Sequence, residues 1–213
     1  MIKIWGRATS SNVQCVMWLI NELGLAHERI DAGLMYGVND TPDYLEMNPN
    51  GTVPTIIDGN NPPLWESAAI LRYLASNYAK PPFWPDDPVQ RADVDRWTEW
   101  AKVSVQMNFN GPIFWKVVRG PAEQRDQQAL DAAVGNFEKY LAIADKRLSS
   151  RQFLVSDDFT LADIQFGHIL FRYFDVDIER VKMPDLQRYY DQLKAMPHYQ
   201  KHVMVNYDEL RAS

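Results

Sequence analysis

The sequence predicts an α/β domain followed by an all-helical one, and three observations carry that reading. Residues 1–78 alternate short β-branched runs with helical spacing, whereas almost everything after Asp87 keeps helical spacing alone. Between them, Ala79 to Pro88 contains Pro81, Pro82, Pro85 and Pro88, which remove backbone donors and fix φ, so no continuous helix can cross. Farther on, Leu130, Ala133, Val134, Phe137, Leu141, Ala144 and Leu148 recur at spacings of three and four, the apolar stripe of a bundle helix. The expected organisation is a first domain over 1–78, a linker over 79–88 and a helical domain over 89–213. Phe83 and Trp84 in the linker are expected to pack against folded structure, since a free tether does not carry two large apolar rings.

Within the first domain, Ile2 to Trp5 is a strand, and Val13, Val16, Met17, Ile20 and Leu23 mark a helix stopped by Gly24. His27 to Asp31 is a second strand. Thr41-Pro42-Asp43-Tyr44-Leu45 opens a short helix, with Thr41 as its cap and Pro42 at its first position. Val53 to Ile57 then forms a strand, Asp58-Gly59-Asn60-Asn61 a turn, Leu64-Trp65 a short strand, and about Glu66 to Tyr78 a helix. The order β-α-β-α-β-β-α places the first two strands parallel through a right-handed crossover and ends in a hairpin, a thioredoxin-like arrangement. In the helical domain the spacing predicts helices over Asp93 to roughly Asn108, Leu161 to about Tyr173 and Asp185 to Met196, with breaks at Gly111-Pro112, Gly120-Pro121 and Pro197.

With 213 residues, 46% of them hydrophobic, the chain can bury one large core or two smaller ones. A net charge of -6 repels phosphate backbones and anionic lipid on average, which argues against nucleic acid and membrane partners. Cys15 alone cannot form an intramolecular disulfide, the first residues lack a signal-like apolar stretch, and no apolar run reaches bilayer length. A cytoplasmic location is the expectation. Cys15 itself reads as an ordinary, partly buried thiol.

Asn48-Pro49-Asn50-Gly51-Thr52-Val53-Pro54-Thr55-Ile56, followed by Leu64-Trp65-Glu66-Ser67-Ala68-Ala69-Ile70, resembles the glutathione-binding region of cytosolic glutathione transferases. The resemblance implies a cis Val53-Pro54 bond whose flanking backbone pairs with the cysteinyl part of glutathione as an added strand does. It also implies that Ser67 and the helix N-terminus hold the γ-glutamyl carboxylate, while Glu66 pairs with the α-ammonium. Thr52 and Asn39 match positions that touch the glycyl end or the tripeptide backbone. The loop Trp5-Gly6-Arg7-Ala8-Thr9-Ser10-Ser11-Asn12-Val13-Gln14 is similar to the serine-type active-site loop of bacterial members, with Ser10 as hydroxyl donor and Asn12 as the accompanying amide. Thr9 and Ser11 are alternative donors, and any of these residues could instead cap the helix. Asp158-Phe159-Thr160-Leu161-Ala162-Asp163-Ile164 resembles the capping motif of the family's helical domain, with Phe159 stapling to Ile164.

Glutathione as co-substrate needs an ionised thiol, and a free thiol has a pKa of about 8.5. Lowering it by about two units takes ~3 kcal/mol. A hydroxyl bond to the thiolate contributes about 1.5–3 kcal/mol and a helix N-terminus up to ~2, so the two together suffice without a charged base. By resemblance, a small apolar electrophile is conjugated in a cleft lined by Met107, Asn108, Phe109, Phe114 and Trp115 of the helical domain, and the protein is a homodimer. A glutathione-dependent disulfide reductase and a noncatalytic glutathione-fold binding protein are the alternatives. No metal is expected, because His198 and His202 supply two ligands at most.

Overall fold

Four short strands make one mixed sheet in the computed structural model, which describes residues 1–211. Strand β1 (Ile2–Trp5) is central, with β2 (His27–Ile30) parallel on one side and β3 (Thr55–Asp58) antiparallel on the other; β4 (Leu64–Trp65) completes the order β2-β1-β3-β4. Ile2 and Ile4 face the core while Lys3 is exposed, the period-two pattern of a strand. Helices α1 (Ser11–Glu22) and α3 (Ser67–Tyr78) pack together, and Val13, Val16 and Ile20 on one and Ile70, Leu71 and Leu74 on the other are all buried. Between them α2 (Pro42–Met47) starts with the Thr41 hydroxyl accepting the Tyr44 N–H at 3.4 Å. The β-α-β-α-β-β-α order is therefore the one its periodicity predicts. The third strand begins at Thr55 rather than Val53, because Pro54 has no N–H to give a ladder.

The chain forms two compact units. The first is Met1–Ala79 together with His198–Val205; the second runs from Lys80 to Pro197 and takes up the chain again at Asn206. In the first, Tyr199 and Val203 are fully buried, and the Tyr199 ring meets Trp18 edge-on at 4.9 Å.

The second unit starts with α4 (Pro88–Trp100), capped by the Asp87 carboxylate on the N–H groups of Val89 and Gln90. Helical winding then continues through a π-type stretch (Ala101–Gln106), α5 (Met107–Phe109), a second π-type stretch (Asn110–Phe114) and α6 (Trp115–Arg119). Gly111-Pro112 is thus no break: the wider turn does without the donor that proline lacks and gives its ring room. Gly120-Pro121 does end the run. The helix α7 (Gln127–Leu148) buries Leu130, Val134, Phe137, Leu141, Ala144 and Leu148, as the stripe predicts. It is followed by α8 (Leu161–Asp175), α9 (Pro184–Lys194) and α10 (Pro197–His202), where Pro197 opens a helix as well as closing off the one before. Linker residue Phe83 packs on Phe159, and Trp84 is buried beneath Arg91. Phe159 also meets Phe153, edge-on at 5.4 Å.

The helix α8 is buried along most of its length and carries polar groups into the core. His168 is fully buried, and desolvation lowers its pKa to about 3, so it stays neutral. Its folded pKa lies below the unfolded value of about 6.5. The neutral ring's contribution is therefore complete above pH ~6.5 and is lost as pH falls towards the folded value, at up to ~1.4 kcal/mol per pH unit. Urea unfolding at pH 7, 5.5 and 4.5 should show this slope, and His168→Gln should flatten it; equal slopes in both proteins would refute the assignment.

Candidate active site

The chain leaves β1 through Gly6, where a Cβ would lie 2.4 Å from a Val13 methyl and 3.4 Å from Val53. Only glycine allows the loop to run this close to α1. The Ser10 N–H bonds the Arg7 carbonyl at 3.1 Å, and the Ser10 carbonyl receives the Val13 and Gln14 N–H groups at 2.9 and 2.8 Å. Ser10 is thus the N-cap residue of α1, with extended backbone (φ -83°, ψ 121°), yet its side chain makes no cap hydrogen bond. The hydroxyl sits at the positive end of a helix without capping it. Thr9, Ser10 and Ser11 are all buried, at 4%, 7% and 6% exposure, so burial does not rank them; the N-cap position singles out Ser10.

Asn12, in the first turn, brings in the second segment. The Ser67 hydroxyl donates to Asn12 Oδ1 at 3.2 Å across 55 residues of sequence. Ser67 is 2% exposed and is the first residue of α3. Glu66 before it is exposed and has φ 69°, ψ 111°, a left-handed conformation that costs a non-glycine residue about 1–3 kcal/mol. That backbone turns the chain from β4 into α3 and leaves the Glu66 carboxylate at the surface, next to the helix N-terminus.

The Val53-Pro54 peptide bond is cis. Val53 lies outside the ladder, which ends at the Trp5–Thr55 pair. Its flank is fastened by side chains: Tyr44 Oη donates to the Thr52 carbonyl at 2.6 Å and lies 2.8 Å from Thr55 Oγ1, while Asn48 Nδ2 bonds the same two oxygens at 2.9 and 3.1 Å. Burial raises the pKa of the Tyr44 phenol, against the lowering effect of its Thr55 and Asn48 partners. Asn39 Nδ2 donates to the Gly51 carbonyl at 2.6 Å, so this amide braces the loop, while Thr52 keeps an exposed side chain.

Gln14, Tyr44 and Asn48 support the site without having been singled out in the sequence. Gln14 is 1% exposed and returns Nε2 to the Ala8 carbonyl at 3.1 Å, closing the loop that presents Ser10. A polar residue in the first turn of an otherwise apolar helix is the only local signal of that role. Cys15 is fully buried, more deeply than expected, with Sγ 3.2 Å from the Asn12 carbonyl.

The five residues expected around the electrophile do not share one environment. Phe109 and Phe114 are fully buried, their rings packed on Phe137 and Tyr173 and on Tyr207 respectively. They belong to the core of the helical unit and do not line a surface. Met107 is 63% exposed, and Asn108 and Trp115 are half-buried.

Residues 1–76 match the family described as glutathione S-transferase, N-terminal domain, and residues 106–197 match its C-terminal domain. The chain is 38% identical to glutathione S-transferase GstB of Escherichia coli over 206 residues, covering 96% of this chain and 99% of that one. It is 32% identical to glutathione S-transferase 3 of Zea mays, over 76% of this chain and 73% of that one. Among solved structures, it resembles the theta class glutathione S-transferase of Xanthomonas axonopodis pv. citri with glutathione bound, with a TM-score of 0.89, 42% identity and coverage of 96% and 98%.

Proposed function

The chain belongs to the glutathione S-transferase family and uses glutathione as co-substrate, and from that premise we propose that the Ser10 hydroxyl holds the glutathione sulfur as a thiolate for attack on small apolar electrophiles. The observation that carries this reading is the Ser67–Asn12 hydrogen bond, which joins the thiol loop to the start of α3. Asn12 presents its oxygen to Ser67, so its donor end is turned the other way. Val53 pairs with the cysteinyl backbone through its main chain, and Pro54 holds that flank. Ser67 and the α3 N-terminus receive the γ-glutamyl carboxylate, and Glu66 receives the ammonium beside it; the unusual backbone at Glu66 supports this, since such conformations concentrate at ligand clamps. Thr52 and Asn39 border the glycyl end. Met107, Asn108 and Trp115 bind the electrophile, with Phe109 and Phe114 forming the core behind them.

Nothing in this arrangement calls for a charged base. The hydroxyl bond and the helix N-terminus together offset the ~3 kcal/mol needed to ionise the thiol near neutral pH. A reductase route through a protein mixed disulfide is not served, since Cys15 is fully buried. The chain works as a homodimer in the cytosol, a reading supported by the family; sedimentation equilibrium measures the first part. No helix among the described residues is long and apolar enough to cross a membrane.

Steady-state kinetics with 1-chloro-2,4-dinitrobenzene test the binding half. Ser67→Ala should raise KM for glutathione about 10-fold, because the hydroxyl proton turns from Asn12 Oδ1 to the carboxylate on binding and alanine has none to give, and should change kcat by less than ~3-fold. An unchanged KM would remove Ser67 from the γ-glutamyl site.

A further inference from the structure

Past the end of β3, the turn to β4 and the second half of α3 border a cavity of about 440 Å³. Its apolar wall includes Pro62, Pro63 and Leu64, and its polar lining is Asp58, Asn61, Tyr73 and Asn77. Among the described residues that line it, Asp58 alone is charged, and it is 8% exposed. All of them belong to the first unit. A carboxylate buried this far needs donors or a cation on its oxygens.

The hydrogen bonds fix what the cavity offers. The Tyr73 and Tyr78 hydroxyls both bond Asp58 Oδ2, at 2.8 and 2.6 Å. A phenol has one proton and a carboxylate none, so both hydroxyls donate. The bond to Asp58, and then desolvation, pushes the Tyr78 pKa up to about 12, which keeps that proton in place. The Tyr73 oxygen is left to accept, and Asn61 Nδ2 donates to it at 3.2 Å. Asn77 Nδ2 donates to the Tyr73 carbonyl at 2.7 Å. Each polar side chain of the lining that carries a donor therefore commits it within the protein, and Pro62 and Pro63 have no N–H to add. Acceptors are what remain: Asp58 Oδ1 and the side-chain oxygens of Asn61 and Asn77, none of which bonds another described residue.

Three acceptors beside an apolar wall, one of them charged, suit a head that carries positive charge and several N–H donors. A primary ammonium has three such donors; an alcohol brings one and no charge, and an anion is repelled. The volume falls within the range of small-molecule sites.

We propose that this cavity is a binding site for a small primary amine carrying an apolar body. The ammonium pairs with Asp58 Oδ1 and reaches the oxygens of Asn61 and Asn77, while the body lies along Pro62, Pro63 and Leu64. The site does not depend on the thiol chemistry, since α3, rising about 1.5 Å per residue, carries Asn77 ~15 Å beyond Ser67.

Titration calorimetry with 2-phenylethylamine, the neutral 2-phenylethanol and the N,N,N-trimethyl ammonium derivative, on full-length protein saturated with S-methylglutathione, tests this. The alcohol lacks the charge and the trimethyl derivative lacks the N–H donors. The expected result is one amine per chain, bound at least ~10-fold more tightly than either analogue, the size of a charge-assisted contact. Asp58→Asn should weaken the amine by ~10-fold or more and leave the S-methylglutathione Kd unchanged. Because Asp58 also receives two phenols, Asn61→Ala and Asn77→Ala, both at exposed positions, are made in parallel. Each should weaken the amine several-fold with an unchanged melting temperature. No saturable binding of the amine, affinity equal to that of either analogue, full affinity in these variants, or expulsion by S-methylglutathione would each overturn the proposal.

Discussion

Replacing Ser10 with alanine should raise the pKa of the bound glutathione thiol by about one to two units, the equivalent of a hydroxyl-to-thiolate bond worth about 1.5–3 kcal/mol. At pH 6.5 the thiolate fraction then falls by ~5- to 50-fold, and kcat/KM with 1-chloro-2,4-dinitrobenzene falls with it. The loss is conditional on pH. Above the free thiol's pKa of about 8.5 both proteins hold a thiolate, so the two rate profiles should converge there. Part of the depression should survive, because the start of α1 still presents its N–H groups and dipole, worth up to ~2 kcal/mol. The substitution should leave stability nearly unchanged, since the Ser10 side chain makes no cap hydrogen bond to lose. Ser10→Thr keeps the hydroxyl and should restore most of the depression. Ultraviolet titration of the thiolate in the binary complex reads the pKa directly; an unaltered value in Ser10→Ala would transfer the role to Ser11 or Thr9.

The largest effect on stability should come from Asp163, far along the sequence from that chemistry. Its carboxylate is fully buried and accepts four bonds, from the Leu154 N–H at 2.9 Å, the Thr160 N–H at 2.8 Å, the Thr160 hydroxyl at 3.0 Å and the Tyr189 hydroxyl at 2.9 Å. Burial raises its pKa to about 6, against the lowering effect of those same donors. Asp163→Ala would strand the donors inside the helical unit and undo the capping box at the start of α8. We expect a loss of ~3–5 kcal/mol in urea unfolding, in line with breaking a buried charged network by removing one member. Glutathione bound to the remaining folded protein should keep its depressed thiol pKa. A loss below ~1 kcal/mol would mean that water replaces the carboxylate, contradicting the burial seen here.

The same motif shows how far local sequence carries. Thr160 and Asp163 stand three apart, so the capping box is written within one helical turn and is legible without tertiary information. The Tyr189 and Leu154 bonds to that carboxylate come from other segments and have no local signature. The thiol loop divides in the same way. Hydroxyl and amide residues before an apolar helical stripe announce a helix start, but Thr9, Ser10 and Ser11 are chemically interchangeable in the sequence. Gly6 resolves the path, because its missing side chain lets the loop pass against Val13, and Ser10 then falls at the N-cap. The electrophile residues read least clearly. The resemblance groups Met107, Phe109 and Phe114 around Gly111-Pro112, whereas in the fold Phe109 and Phe114 are buried and Met107 stays exposed.

The sequence by itself determined the order of strands and helices and the change from α/β to helical structure, because periodicity, caps and proline effects act over a few residues; the glutathione-binding segment is an expectation that its resemblance to glutathione transferases implies. Only the tertiary structure decided that Asn12 and Ser67, separated by 55 positions, share a hydrogen bond, and that His198–Val205 groups with the first unit. The physical reason is the same in both cases. An apolar stripe or a polar side chain specifies that it must be covered or paired, but the partner is chosen by the register of the sheet and the packing of the helices upon it.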